Sequence, residues 1–289
     1  QRIHYARSDH KGHHKPNELI HLRKEALEEA RRFKEVAHRI EEAILDNSLE
    51  LNFQPIYSFK KNRITSLEVL SRLKDGKHNY INPEYFIHVA EINHTIIQLS
   101  RQMFEKTCRF AVDNNIFDRG INDMNINISP IQCQDKHLVQ DLKKIAAKYG
   151  IPFERFHFEI TESRLTDEKA VRETLTKLKE NGAKIALDDF GTGYSNIASI
   201  MLMPIDFVKI DKSLLWSYAS GDNEFLNELM PMIRGEGKKI IAEGIETEEH
   251  IEILRRMGGD FLQGYYYSKP LNEENFIRFL DARNNGAEA

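Results

Sequence analysis

The sequence predicts an α/β chain folded as a (β/α)8 TIM-type barrel with an antiparallel first strand, preceded by an N-terminal linker helix. Three observations predict it. From Leu51 onward, apolar β-branched runs alternate with helix-like segments, a repetition that implies parallel pairing. There are eight such runs, in a span close to the ~250 residues that such a barrel needs. Only Ser58 to Arg63 separate the first two, far short of the roughly dozen residues of a parallel crossover, so the first strand must be reversed. On periodicity alone, a doubly wound open sheet remains the alternative.

The elements follow in order. Residues 1–15 are polar and His-rich, without periodicity. After Pro16, Leu19, Leu22, Ala26, Ala30, Phe33, Ala37, Ile40 and Ile44 recur at spacings of three or four, one apolar stripe on a long helix assigned to residues 16–49. The stripe fits a helix packed on its own domain as well as a connecting or dimerising one. Asp46-Asn47-Ser48 stops it. The strand candidates are Leu51–Tyr57, Ile64–Leu73, Met124–Ser129, Phe156–Ile160, Lys184–Asp188, Ile205–Ile210, Lys239–Glu243 and Asp260–Tyr266. Helix-like stretches between them include Pro83–Asn93, Ile131–Tyr149, Asp167–Asn181 and Glu246–Met257. The expected division is a polar tail at 1–15, the linker helix at 16–49 and the barrel at 50–285.

Composition narrows the function classes. The 289 residues carry 41 Lys and Arg against 45 Asp and Glu, a formal charge of −4, which argues against a sequence-blind DNA or RNA binder. Hydrophobic residues at 40 % and charged residues at 30 % mark a globular chain rather than a disordered one. No apolar run approaches the ~18–20 residues of a membrane span. Two cysteines, Cys108 and Cys133, exclude a disulfide framework and point to a reducing cytoplasm, with membrane attachment of a longer parent left open. A start at Gln1 without a leader pattern reads as a fragment of that parent.

Polar residues gather at the strand ends: Asn127, Glu159, Asp188 and Asp189, Lys209 and Asp211, Glu243 and Gln263, with Glu68 inside the second run. One acid at a strand end is usually a helix cap. Acids or amides at six strand ends are better explained by the face where barrel active sites form. Lys209 and Asp211, two apart, share one side of their strand. Asp188 and Asp189 are adjacent, so the chain must bend for both to serve one site, and Gly191 and Gly193 permit that. Five carboxylates in one pocket repel each other unless cations are bound. An oxygen-only ligand set suits two Mg2+ or Mn2+ ions, which at ~3.5–4 Å separation form a phosphodiester hydrolysis device. His157, in phase with Glu159, is expected to point inward below the site. Neither cysteine has a neighbouring His, so a thiol nucleophile is not expected.

The motifs FQPIYS (Phe53–Ser58), EVLSR (Glu68–Arg72), NIS (Asn127–Ser129), FEITES (Phe158–Ser163), DDFGTGYSN (Asp188–Asn196), VKID (Val208–Asp211), AEGIE (Ala242–Glu246) and QGYYYSKPL (Gln263–Leu271) occur in this order. With them, the chain from Leu51 to Leu280 resembles the EAL domain, the cyclic di-GMP phosphodiesterase module of bacterial signalling. The resemblance implies a (β/α)8 barrel with an antiparallel first strand. It implies hydrolysis of cyclic di-GMP to linear pGpG with two Mg2+ or Mn2+ ions. Glu68, Asn127, Glu159 and Asp188 match ligands of one ion, and Asp188, Asp189 and Glu243 those of the second. Lys209 matches the lysine beside the attacking water, and Asp211, Glu246 and Gln263 match residues that position water or ligands. Gln54 and Arg72 match substrate contacts, Arg72 suited to a phosphate. Glu162 matches the glutamate that anchors the loop after the paired aspartates. Departures are few: Val69 stands for the usual alanine, Leu73 for an aromatic and Asn196 for a serine. Residues near the start resemble the tail of a GGDEF domain, which would make the parent a GGDEF–EAL protein, and pairing of two copies through the linker helix is compatible with the family. The alternatives are a catalytically silent cyclic di-GMP receptor signalling through that helix and a different metal-dependent barrel hydrolase.

Overall fold

The computed structural model describes residues 16–161, 168–192 and 201–284. The helix α1, Pro16–Leu45, has no Gly or Pro after its first residue. It ends where Asn47 turns left-handed (φ 53°), with Ser48 N–H donating to the Ala43 carbonyl. The Lys106 ammonium, on a later helix, closes this turn by donating to the Asn47 and Leu49 carbonyls at 2.6 and 2.7 Å. From Lys24 onward the packing of α1 lies in its later turns: Val36, Ile40 and Ala43 are buried, whereas Ala26, Leu27 and Ala30 are exposed.

The strands β1 (Glu50–Ser58), β2 (Arg63–Arg72), β3 (Asp123–Asn127), β4 (Phe156–Thr161), β5 (Lys184–Phe190), β6 (Phe207–Ile210), β7 (Lys239–Ala242) and β8 (Phe261–Leu262) close a barrel. β1 runs antiparallel to both β2 and β8, and every other barrel pairing is parallel. The short loop between β1 and β2 dictates that reversal. A further short strand, β9 (Leu271–Asn272), adds to the outer edge of β1.

Among the described residues, the helices around the barrel include α2 (Pro83–Ile92), α3 (Ile96–Asp113), α4 (Leu138–Lys148), α5 (Glu168–Glu180), α6 (Lys212–Ala219), α7 (Leu226–Gly235), α8 (Glu248–Met257) and α9 (Glu273–Asn284). The core lies between strands and helices, with Phe53, Phe86, Phe104, Phe156, Phe158 and Phe190 among its fully buried side chains. A smaller apolar floor of Ile56, Ala186, Phe207 and Ile241 plugs the barrel interior. His157 sits at that floor, buried, 4.8 Å from the Phe207 ring centroid and 3.4 Å from Asp123.

Some boundaries differ from the sequence reading. The stretch expected to be helical over Ile131–Tyr149 splits into a single 3-10 turn at Gln132–Gln134 and α4, because the Asp135 carboxylate accepts the His137 N–H and also holds Arg101. The expected strand Asp260–Tyr266 is only two residues long, since the chain turns at Gly264, which packs directly on the Ile245 backbone. α8 starts at Glu248 rather than Glu246, capped by the Thr247 hydroxyl. The polar tail at 1–15, Glu162 and loop positions 193–196 lie outside the described residues.

Candidate active site

The parallel strands bring their C-terminal ends to one mouth, and the polar residues read from the sequence meet there. Lys209 of β6 is the centre. Its side chain is 1 % exposed, and its ammonium lies 2.8 Å from Glu159, 2.9 Å from Asp188, 2.9 Å from Glu243 and 3.5 Å from Glu68. Glu68 is held further by Gln263 Nε2 at 2.6 Å and Asn127 Nδ2 at 2.9 Å. Gln263 also donates to Gln54 Oε1 (3.3 Å), and Gln54 donates to the Ser268 carbonyl (3.4 Å), so β1, β2, β6 and the turn after β8 are tied together across the mouth.

The bend expected at the paired aspartates is present. Asp189 adopts a left-handed conformation (φ 56°), and the β5–β6 register shifts between Leu187 and Phe190. This bulge lets consecutive aspartates face one site. Carboxylate oxygens of Asp188, Asp189 and Glu243 lie within 4.8 Å of one another.

Burial and crowding displace the acids in different directions. Burial pushes Glu159 well above the ordinary glutamate value, with Glu68 and Asp188 adding to it and Lys209 opposing. Burial, reinforced by Asp188, pushes Glu243 to about 8 and Asp189 to about 6. Burial alone would raise Glu68 as well, but Lys209 and the bonds from Gln263 and Asn127 outweigh it and lower it. Lys209 is held well above the usual lysine value because its carboxylates outweigh its burial.

One ammonium therefore faces four carboxyl groups, with that of Asp189 close by. Glu159 Oε1 is buried without a hydrogen-bond partner, and Asp188 Oδ1, though near Lys209, is not aligned for a hydrogen bond. Buried anionic oxygens left in this state favour a further cation. The donor set, carboxylates and one amide, fits a hard divalent ion. The structure thus brings together Glu68, Asn127, Glu159, Asp188, Asp189, Lys209, Glu243, Gln54 and Gln263. Arg72, half-buried at the end of β2, donates to the Ser71 carbonyl and lines the adjoining cavity. Asp211 spends one carboxylate oxygen capping α6, by accepting Ser213 N–H at 2.9 Å. Glu246 is exposed in the turn before α8 and is not part of the Asp188–Asp189–Glu243 group. Both cysteine thiols are buried and pushed up to about 12.

A cavity of about 430 Å3 extends from Asn127, Asp188 and Asp189 under α2 and α3. Apolar side chains including Val69, Leu99 and Met103 form its walls, and two polar pairs face it: Ser129 donates to Glu91 at 2.7 Å, and Gln132 donates to Ser100 at 2.7 Å. Sequence reading missed Glu91, Ser100 and Gln132. Glu91, placed directly after the buried Val89-Ala90 of an apolar helix face, was the available signal.

The sequence profile of the family described as EAL domain matches residues 37–270. The chain is similar to the signaling protein YkoW of Bacillus subtilis, 32 % identical over 245 residues, covering 83 % of this chain and 30 % of that protein. It is similar to the cyclic di-GMP phosphodiesterase NbdA of Pseudomonas aeruginosa, 28 % identical over 251 residues, covering 86 % and 32 %. The chain therefore spans about a third of the length of these relatives. Among solved structures it resembles the PaMucR phosphodiesterase in complex with c-di-GMP, with a TM-score of 0.75, 28 % identity and coverage of 83 % of this chain and 99 % of that one.

Proposed function

The chain belongs to the EAL domain family, and from that premise we propose that it hydrolyses one phosphodiester bond of cyclic di-GMP, giving linear pGpG, with two Mg2+ or Mn2+ ions at the barrel mouth. The observation that carries the reading is the convergence of four carboxyl groups on Lys209, with Asp189 beside Asp188 and Glu243, and with one Glu159 oxygen buried without a hydrogen-bond partner. The NbdA relative, named as a cyclic di-GMP phosphodiesterase, and the PaMucR complex point to the same substrate.

Glu68, Asn127, Glu159 and Asp188 would hold one ion, and Asp188, Asp189 and Glu243 the other. Such ions supply a nucleophile at neutral pH and neutralise charge on the phosphate oxygens. Gln263 orients Glu68 through its amide, and Gln54 orients Gln263. The Lys209 ammonium donates to the attacking water or to a departing oxygen, its charge kept by the surrounding acids. The free oxygen of Asp211, and Glu246, complete the positioning of water. Arg72 offers its guanidinium to a phosphate of the substrate. The cavity beside Asn127, with Val69 and Met103 in its lining, has the volume for one guanine ring. Glu162 would anchor the loop after Asp189. In the same reading α1 is a linker and residues 50–285 are the catalytic unit, working in a cytoplasm that keeps both cysteines reduced.

The test is turnover of cyclic di-GMP by this chain with Mg2+ or Mn2+, beside Glu68→Ala. The expected result is pGpG from the native chain and a loss of several orders of magnitude in the variant. Turnover that survives Glu68→Ala refutes the ligand assignment. Binding without turnover makes the domain a receptor.

A further inference from the structure

We infer that Trp216 is a positioning residue for the second ion: its indole N–H holds the carbonyl of Gly244 and so fixes Glu243 relative to Asp188 and Asp189. The inference rests on the two-ion reading above and concerns a residue outside every motif that carries the family resemblance.

The second ion's ligands come from two turns, one after β5 and one after β7. The first two turns of α6 pack against both. Gly191, two residues beyond Asp189, has φ 111°, and a Cβ there would collide with the Leu214 side chain. Gly244, directly after Glu243, has φ 65°, and a Cβ there would collide with the Lys212 side chain. Both glycines therefore let α6 pack closely, Gly244 against the start of its backbone and Gly191 against the Leu214 side chain, and α6 is a common brace for the two ligand turns. Its own start is fixed by the Asp211 cap, two residues from Lys209.

Within the second turn, backbone bonds hold either side of Gly244. Glu243 N–H donates to the Ile210 carbonyl at 3.0 Å, and Ile245 N–H donates to the Gln263 carbonyl at 3.1 Å. The Gly244 carbonyl accepts from Trp216 Nε1 at 2.9 Å. Glu243 gains from such support, because its side chain is 21 % exposed, against 0 % for Glu159, 8 % for Glu68 and 10 % for Asp188, so packing constrains it less than those three. Trp216 itself is 38 % exposed and carries the Lys212 ammonium 5.3 Å from its ring centroid. A tryptophan this exposed adds little to the core. What it does specifically is aim one donor at the peptide next to a ligand, a role in which small displacements matter to metal affinity.

The test compares the wild-type protein with Trp216→Phe, which keeps an aromatic ring and removes the donor, both prepared metal-free and titrated with Mn2+ as the probe. Free Mn2+ is measured by electron paramagnetic resonance, and Asp189→Asn identifies the second site. Loss of one hydrogen bond predicts about three- to tenfold weaker Mn2+ binding at the site that Asp189→Asn removes. The other site should stay within about twofold, and the metal-free melting temperature should be unchanged within about 2 °C. Equal affinity in wild type and Trp216→Phe overturns the inference while leaving the two-ion reading intact. Weakening of both sites together with a lowered metal-free melting temperature also overturns it, since Trp216 would then be a structural anchor only. Failure of the wild-type chain to bind Mn2+ at all removes the two-ion reading and this inference with it.

Discussion

Replacing Lys209 with methionine keeps the length of the side chain and deletes the one positive charge inside the acidic cluster. Breaking a buried pair while its partners stay charged costs about 3–5 kcal/mol. The cluster sets where in that range the loss falls. Glu159 is already displaced toward its protonated form, and with Glu243 at about 8 most of that group is neutral at pH 7. The ammonium then chiefly compensates Glu68 and Asp188, so the cost at pH 7 lies near about 3 kcal/mol. For a chain of this size that lowers the melting temperature by about 5 °C. Lysine stays charged in both folded and unfolded states across neutral pH, so pH dependence comes from the acids. Without the ammonium, Glu243 and Asp189 rise further and the folded variant retains protons that the unfolded chain has released. Its stability therefore falls more steeply with pH, and the gap to wild type widens between pH 6 and 8.5. Thermal unfolding in EDTA across that range measures this, and saturating Mn2+ should recover part of the loss. A deficit under about 1 kcal/mol that does not change with pH would refute the reasoning, because the ammonium would then not be the charge that holds the cluster together.

Further outcomes follow from the same geometry. In the metal-free wild type, Asp189 at about 6 and Glu243 at about 8 are raised above their unfolded values. Their contribution is greatest at low pH and declines as pH rises through those values, so Mn2+ should raise the melting temperature more at pH 8 than at pH 6, because binding must displace these protons. Cys108 and Cys133, pushed up to about 12, should not react with a disulfide reagent in native buffer, and both should react in urea. Gly264→Ala drives a Cβ into the Ile245 backbone and should cost about 3 kcal/mol in a denaturant melt; an unchanged midpoint contradicts the close packing.

Much of the architecture is legible in the sequence. The reversed first strand follows from the loop between Ser58 and Arg63, too short for a parallel crossover. The bend at Asp188-Asp189 was legible because two adjacent acids can share a face only if the strand is broken, and the bulge with Asp189 at φ 56° is how the chain does it. The end of α1 was legible in Asp46-Asn47-Ser48, but how far it packs was not. A stripe at helical spacing runs through Ala26 and Ala30 as through Val36 and Ile40, and only the latter pair finds the barrel. Asp211 shows the opposite lesson: the ordinary reading of an acid at a strand end, a helix cap, holds for one of its oxygens.

The sequence by itself determined the alternation of strands and helices, the reversed direction of the first strand and the identity of the acidic residues that gather at the strand ends, because these depend on local periodicity, loop length and side-chain chemistry. Only the tertiary structure decided which acid is raised and which lowered. Glu68 and Glu159 have the same side chain on β2 and β4, either side of β3, yet Glu68 receives amide donors from Gln263 and Asn127, while one oxygen of Glu159 is buried without a partner. It also decided that Lys209 is the hub, that Glu91 and Ser129 face the cavity, and that Trp216 reaches the turn behind Glu243. These are relations between residues far apart in the chain, and burial and distance, which set their energies, exist only once the barrel has closed.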